Sequence, residues 1–313
     1  MQSVAVVMKE PGHVALERVT LNEPAADDVV VAVDWSGISS GTERLLWQGR
    51  MPHFPGMGYP LVPGYETVGR VVDLGGGADF SIGESVFVPG ASCFASVRAL
   101  FGGSAKQLVA PSSRLLRLGT LGGIEATLLA LAATAYHVAP SGSGLRPDLI
   151  VGHGVLGRLL ARLAVLDGGA PPTIWETSAA RRSGGVGYAV VDPADDDRRD
   201  YRCICDASGD AGLLDMLIQR LAPGGEIVLA GFYTAPLFFD FPPAFMREAR
   251  IRVAAQFLPS DLIAVRDLVQ NGRLSLAGLV THQSPVADAD RAYRTAFDDA
   301  DCLKMILDWR QLA

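Results

Sequence analysis

The sequence predicts an α/β protein in two parts, a β-rich, barrel-like domain and a doubly wound parallel sheet of the Rossmann kind. Three observations predict it. Residues 1–117 carry short β-branched runs set off by Gly, Pro, Asn and Asp; from Leu149 strand-like runs alternate with helical segments; and the first of those runs opens into Gly152-His153-Gly154-Val155-Leu156-Gly157. The expected domains are 1–117 with 275–313, and 118–274.

In the first part the strands expected are Val4 to Met8, Val14 to Val19, Val29 to Trp35, Glu66 to Asp73, Glu84 to Pro89 and Ala105 to Ala110, the spacing of an antiparallel barrel. Ile124 to Val138 is apolar at helical spacing and poor in β-branched residues, which predicts a buried helix. Strand-like runs then fall at 149–151, 173–176, 188–191, 202–206, 226–231 and 250–257, with helical or turn segments between some of them, notably 155–166 and 211–222. That alternation is the pattern of a parallel sheet covered on both faces. Leu221 to Gly231 reads as a helix end, a Pro-Gly-Gly turn and a buried strand, and the tail adds a helix, Asp288 to Phe297, and a strand, Cys302 to Leu307.

The three glycines have separate jobs. Gly152 makes the tight turn off the strand, Gly154 lets backbone approach a pyrophosphate, and Gly157 lets the helix pack closely, with the N–H groups of Val155 and Leu156 among those facing the phosphates. Glu176 closes the next apolar run, nineteen residues after Gly157, where an acid accepts hydrogen bonds from an adenosine ribose. That acid favours NAD over NADP. Arg181 and Arg182, just beyond, leave NADP open, because arginine pairs with a 2′-phosphate.

Composition bounds the rest. A chain of 313 residues, 49% hydrophobic and 19% charged, is long enough for two cored domains, and a net charge of −7 gives no electrostatic case for nucleic acid or an anionic membrane. Four cysteines are too few for a disulfide scaffold, so a reducing cytoplasm is expected. No segment reads as an export leader or a membrane span.

The order of features and several motifs resemble the medium-chain dehydrogenase/reductase family, relatives of the zinc alcohol dehydrogenases, whose first domain is GroES-like. Gly37-Ile38-Ser39-Ser40-Gly41-Thr42-Glu43 resembles the family's Gly-Ile-Cys-Gly-Thr-Asp, Pro63-Gly64-Tyr65-Glu66-Thr67-Val68-Gly69 its Pro-Gly-His-Glu-x-x-Gly, and Thr134-Ala135-Tyr136-His137 the segment before its cofactor strand. In that register Ser40 stands at the family's first zinc-ligand cysteine and Tyr65 at its ligand histidine. Catalytic zinc needs three side-chain ligands, so a zinc-free site is expected, with Glu43, His53 and Glu66 the remaining alternative. The four-cysteine structural zinc lobe has no counterpart.

Longer strings, Asp34 to Glu43, Gly49 to Glu66, Leu149 to Leu163 and Phe241 to Arg252, resemble those members that oxidise a 3-(1-hydroxyethyl) group on a bacteriochlorophyllide, a magnesium tetrapyrrole, to 3-acetyl with NAD. A carbinol on a conjugated macrocycle loses hydride readily, because positive charge developing at carbon spreads into the ring. A weaker proton acceptor than zinc-bound alkoxide chemistry then suffices.

The resemblance implies where that acceptor lies. Tyr65 stands at the former ligand position with Glu66 beside it to orient it, although a phenol needs a cation or a strong hydrogen-bond network to act as a base near neutrality. Ser40 and Thr42 are candidates to pass a proton onward, and His53 titrates in the useful range. Turn chemistry for the two hydroxyls and an exposed loop position for His53 are the plain alternatives. His153 is expected to face the pyrophosphate, and Ala207, Ser208, Gly231 and Phe232 to lie beside the nicotinamide ribose at strand ends.

Trp47, Arg50, Met51, Phe54, Met57 and Tyr59 offer flat apolar groups for a tetrapyrrole face and a cation for a propionate, with 237–243 closing the other side; ordinary loop packing or a subunit contact is the alternative. A homodimer through the edge of the Rossmann sheet follows from the resemblance. Two rivals stay open: a zinc-free NADPH-dependent quinone or enoyl reductase, and a non-catalytic dinucleotide-binding scaffold of pigment synthesis.

Overall fold

The computed structural model describes residues 1–53, 56–138 and 146–312, except for the side chain of Asp167. Two compact units divide the chain, Met1–Ala130 with Leu276–Ala313, and Leu131–Ser275.

The first unit begins with β1 (Gln2–Glu10), β2 (His13–Thr20), β3 (Asp28–Ile38), α1 (Thr42–Trp47), β4 (Leu61–Pro63), β5 (Thr67–Leu74), β6 (Ser85–Val88), β7 (Arg98–Leu100), β8 (Gln107–Pro111) and β9 (Leu116–Arg117). The expected helix over 124–138 is a 3-10 turn, Ile124–Leu128, followed by α2 (Leu129–Val138). The second unit holds β10 (Leu149–Val151), α3 (Val155–Ala164), β11 (Thr173–Trp175), β12 (Ala189–Val191), β13 (Tyr201–Asp206), α4 (Leu214–Arg220), β14 (Leu221–Leu229), α5 (Phe241–Met246), β15 (Arg250–Val253) and α6 (Pro259–Gln270). The chain then returns to the first unit with β16 (His282–Pro285), α7 (Ala289–Asp298) and β17 (Met305–Asp308).

β3 organises the first unit. Its eleven residues pair antiparallel with β5, with β8 at one end and with β17 at the other. Nearly continuous burial along these strands builds one core, closed by Trp309, whose indole N–H donates to Ser36 Oγ at 2.8 Å. The register Met305↔Ile38 sets the start of β17 against the end of β3, and so brings Lys304 to the Ser39 turn.

In the second unit the parallel sheet runs β12-β11-β10-β13-β14-β15. The order reverses between β10 and β13, the switch point where such sheets bind ligands. Val151 pairs with both Trp175 and Asp206, and Asp206 with Leu229, so Gly152, Glu176, Ala207 and Ala230 emerge together at the carboxyl edge.

Several expectations need correction. The Pro223-Gly224-Gly225 segment is a bulge within β14 rather than a turn before it: Leu221 pairs with Tyr201 and Glu226 with Cys203, so the intervening residues loop out of register. The helical or turn segment expected over 211–222 is a short 3-10 turn followed by α4, whereas the strand expected over 250–257 ends at Val253. α6 escaped the periodicity reading, yet Pro259 at its first turn and Asp261, which accepts the Leu258 N–H at 2.7 Å, mark its start.

Candidate active site

In the first unit, the chain leaving β3 at Ser39 and the Gly64-Tyr65-Glu66 link between β4 and β5 form a buried polar cluster. Ser39 Oγ and the Tyr65 hydroxyl lie 2.8 Å apart, and Ser39 Oγ accepts the Thr42 N–H at 3.3 Å. Glu43, buried in α1, accepts the Ser39 N–H at 3.1 Å and the Tyr293 hydroxyl at 2.6 Å. Burial raises its carboxyl to about 7, against the pull of those two donors. Glu66 is fully buried and ion-paired with Lys304, itself 2% exposed. Burial pushes the Glu66 carboxyl up and Lys304 draws it back. Gly37 makes the room: a Cβ there would stand 2.1 Å from Glu66 Oε2.

This arrangement changes several roles assigned from the sequence. Glu66 is spent on Lys304, so it does not orient Tyr65; the hydroxyl of Ser39 does, and Ser40 at the next position is exposed. Burial, with the nearby Glu66 charge, raises the Tyr65 phenol well above its usual range, which makes it a hydrogen-bond donor rather than a base near neutrality. His53 is exposed and apart from the cluster's hydrogen bonds, so the Glu43, His53, Glu66 set does not assemble; among the described residues no three His, Cys, Asp or Glu side chains converge on a metal position. Thr42 lies beside Tyr65, and its hydroxyl bonds to the phenol.

The loop expected to meet a macrocycle packs on its own domain, as both readings of it require. Trp47 stacks on Tyr293 at 6.0 Å between ring centroids, and Arg294 covers it at 5.4 Å. Met51, Met57 and Tyr59 pack on the first unit's core, and the Tyr59 hydroxyl donates to Leu46 O. Arg50 is exposed, and Phe54 lies outside the described residues.

In the second unit the glycine turn fits a dinucleotide. Gly152 adopts φ +97°, Gly154 caps α3, and a Cβ on Gly157 would lie 1.9 Å from Gly152 O, so only glycine lets the helix sit so close. Val155 and Leu156 form the first turn of α3, whose leading N–H groups have no partner within the helix. Glu176 accepts N–H bonds from His153 at 3.0 Å and Ser178 at 2.9 Å, with lone pairs to spare for two ribose hydroxyls. His153 does not face a pyrophosphate: its side chain is wholly buried, with Nδ1 on Arg181 O at 2.7 Å and Nε2 on the Tyr188 hydroxyl at 3.1 Å. Arg182 pairs with Asp192 at 2.9 Å.

At the end of β13, Asp206 accepts the Ser208 hydroxyl at 2.6 Å and the Tyr233 hydroxyl at 2.7 Å, and its main-chain carbonyl takes the Gly231 N–H. Ala207 and Gly231 present half-buried backbone there, while Phe232 is 45% exposed.

Residues 25–141 match the model of the alcohol dehydrogenase GroES-like domain. The chain is also 55% identical, over 100% of both chains, to a 2-desacetyl-2-hydroxyethyl bacteriochlorophyllide A dehydrogenase from Cereibacter sphaeroides.

The chain belongs to the medium-chain dehydrogenase/reductase family.

Solved structures agree on the fold of this medium-chain dehydrogenase/reductase. It superimposes with a TM-score of 0.83, at 21% identity and covering 98% and 99% of the two chains, on a Sinorhizobium meliloti 1021 structure assigned as a zinc-binding dehydrogenase and bound to NADP. The score is 0.84, at 20% identity and covering 98% and 97%, for acetophenone reductase from Geotrichum candidum NBRC 4597 in complex with NAD. Reading the medium-chain dehydrogenase/reductase from sequence missed Ser39, Tyr293 and Lys304. A signal existed for Lys304, the one charge in Cys302-Leu303-Lys304-Met305-Ile306-Leu307.

Proposed function

We propose that this protein oxidises the hydroxyethyl group of a bacteriochlorophyllide to acetyl with NAD as hydride acceptor and without catalytic zinc. The observation that carries the reading is full-length identity of 55% to a dehydrogenase of that name. The donor set supports the zinc-free part, since Ser40 and Tyr65 are hydroxyls and Glu66 is held by Lys304.

A nicotinamide dinucleotide held by the second unit would supply hydride acceptance for the oxidation of the carbinol carbon. This chain's residues handle the proton. Tyr65, kept protonated, holds the carbinol oxygen by a hydrogen bond shared with Ser39 and Thr42. Glu43, which accepts the Ser39 main-chain N–H, supplies a fixed negative charge beside the site that favours loss of the hydroxyl proton to solvent as the C=O bond forms. Glu176 and the turn at Gly152, Gly154 and Gly157 receive the adenosine ribose and pyrophosphate, and the backbone at Ala207, Ser208, Gly231 and Phe232 the nicotinamide end. Arg181 lies on the loop beside Glu176; Glu176 stands against a 2′-phosphate, and Asp192 engages Arg182, which supports NAD over NADP. Arg50, exposed, is the cation for a propionate.

The reading includes a homodimer through the β15 edge. Ile251 and Val253 there are exposed, and Ile251 with Phe241, Phe245 and Met246 borders an open apolar hollow of about 660 Å³. It also includes a cytoplasmic location, supported by four unbridged cysteines. No helix among the described residues is long and apolar enough to cross a membrane.

The test is anaerobic incubation of metal-analysed protein with NAD and the hydroxyethyl pigment. A red-shifted product with stoichiometric NADH is expected. A quinone or enoyl product with NADPH, or binding without turnover, would replace the reading with one of its rivals.

A further inference from the structure

The first residue inside the glycine turn is a histidine that never reaches solvent, and both its ring nitrogens are directed at one loop. Arg181 O can only accept, so Nδ1 carries the ring hydrogen; Nε2 is then an acceptor, and the Tyr188 hydroxyl donates to it. The Tyr188 ring meets the imidazole edge-on, with centroids 5.7 Å apart. Burial lowers the His153 pKa, in keeping with a neutral ring.

Arg158 works on the same loop from α3. Its guanidinium, 9% exposed, donates to four backbone carbonyls: His153 O at 3.1 Å, Ser183 O at 2.9 Å, Gly184 O at 3.3 Å and Arg181 O at 3.4 Å. Gly184 allows this with φ +80°, since a Cβ there would stand 2.5 Å from Arg158 Nη1. The loop 181–188 and the turn at 153 are therefore fixed to each other.

The functional end of this arrangement is Glu176. One of its oxygens takes the His153 N–H and the other the Ser178 N–H, so the carboxylate points where the braced backbone points it. The loop that carries the nearby arginines is fixed in the same act, with Arg182 already paired to Asp192. A ribose with a free 2′-hydroxyl needs only the carboxylate, whereas a 2′-phosphate needs the carboxylate displaced and a guanidinium brought in.

We propose that His153, Arg158 and Tyr188 are positioning residues that set cofactor selection, holding Glu176 and the 181–184 backbone in the shape that accepts NAD and rejects NADP. The proposal rests on the NAD reading above.

Titration calorimetry of NADH and NADPH against the full-length protein and its Tyr188→Phe, His153→Gln and Arg158→Met variants tests it, with thermal unfolding of each variant as the check on folding. Tyr188→Phe, which removes one hydroxyl and keeps the ring, is the variant expected to keep the fold. NADH should bind the wild type more tightly, and each folded variant should narrow the NADPH-to-NADH ratio of dissociation constants by about fivefold or more, the worth of one lost hydrogen bond. Equal weakening of both nucleotides, or no change in a folded Tyr188→Phe variant, overturns the brace and leaves the NAD reading standing. A wild type that prefers NADPH overturns the NAD reading itself, and the brace with it.

Discussion

Glu66 and Lys304 form a buried ion pair that fills the space left by the missing side chain of Gly37. Removing one partner of such a pair leaves an uncompensated charge, at a cost of about 3–5 kcal/mol, whereas replacing both with apolar groups of similar volume costs far less. Lys304→Met alone should lose stability of that order in urea, and Glu66→Met with Lys304→Met should recover most of it. A double variant no better than the single would show that the pair is not a unit.

Glu43 gives stability a pH dependence of a definite sign. Its folded pKa, about 7, lies above its ordinary value of 4.5, so between these values the native state binds more protons than the unfolded chain. Stability should therefore fall as pH rises from about 4.5 to 7, by about 3 kcal/mol for this group. Glu43→Gln should flatten that slope in denaturant titrations at several pH values.

The same carboxyl should govern activity in the opposite sense, with pigment oxidation rising as Glu43 ionises near pH 7. Tyr293→Phe removes a donor that favours the ionised form, so the rising limb should move to higher pH. A limb that stays in place in both Tyr293→Phe and Glu43→Gln would exclude the Glu43 charge from the reaction.

Tyr65 and Ser40 should separate cleanly in kinetics. Tyr65→Phe should lower kcat by about a hundredfold or more, in the range of losing one hydrogen-bond donor to the reacting oxygen, with little change in nucleotide affinity. Ser40→Ala should leave kcat near wild type, because that side chain is exposed, while Ser39→Ala should follow Tyr65→Phe in direction.

At the second unit's edge, Val253→Asp should convert a dimer to a monomer by light scattering, since Val253 is 76% exposed on an unpaired strand edge. A wild-type protein already monomeric would remove the dimer from the reading.

What the sequence made legible follows from how each signal is encoded. The glycine turn, the alternating strands and the acid at 176 are local patterns, and the sheet register sets them side by side. The polar cluster is not local. Ser39 and Ser40 are neighbours of the same type, and only the turn after β3 decides which hydroxyl meets Tyr65. Lys304 and Tyr293 reach Glu66 and Glu43 through β17 and α7, pairings that no short window contains. His153 sits in a motif position read as phosphate-facing, but its surroundings come from a loop some thirty residues on.

The pairing of β17 with β3 has a consequence for synthesis. Ribosomes release chains from the amino end, so β3 and Glu66 emerge long before their last neighbours exist, whereas residues 131–275 emerge as an unbroken run. The Rossmann unit is thus able to fold while the earlier unit still waits, one carboxylate without its ammonium and one sheet edge open. Truncation a few residues before Met305 should leave the nucleotide-binding half protease-resistant and the amino-terminal half susceptible.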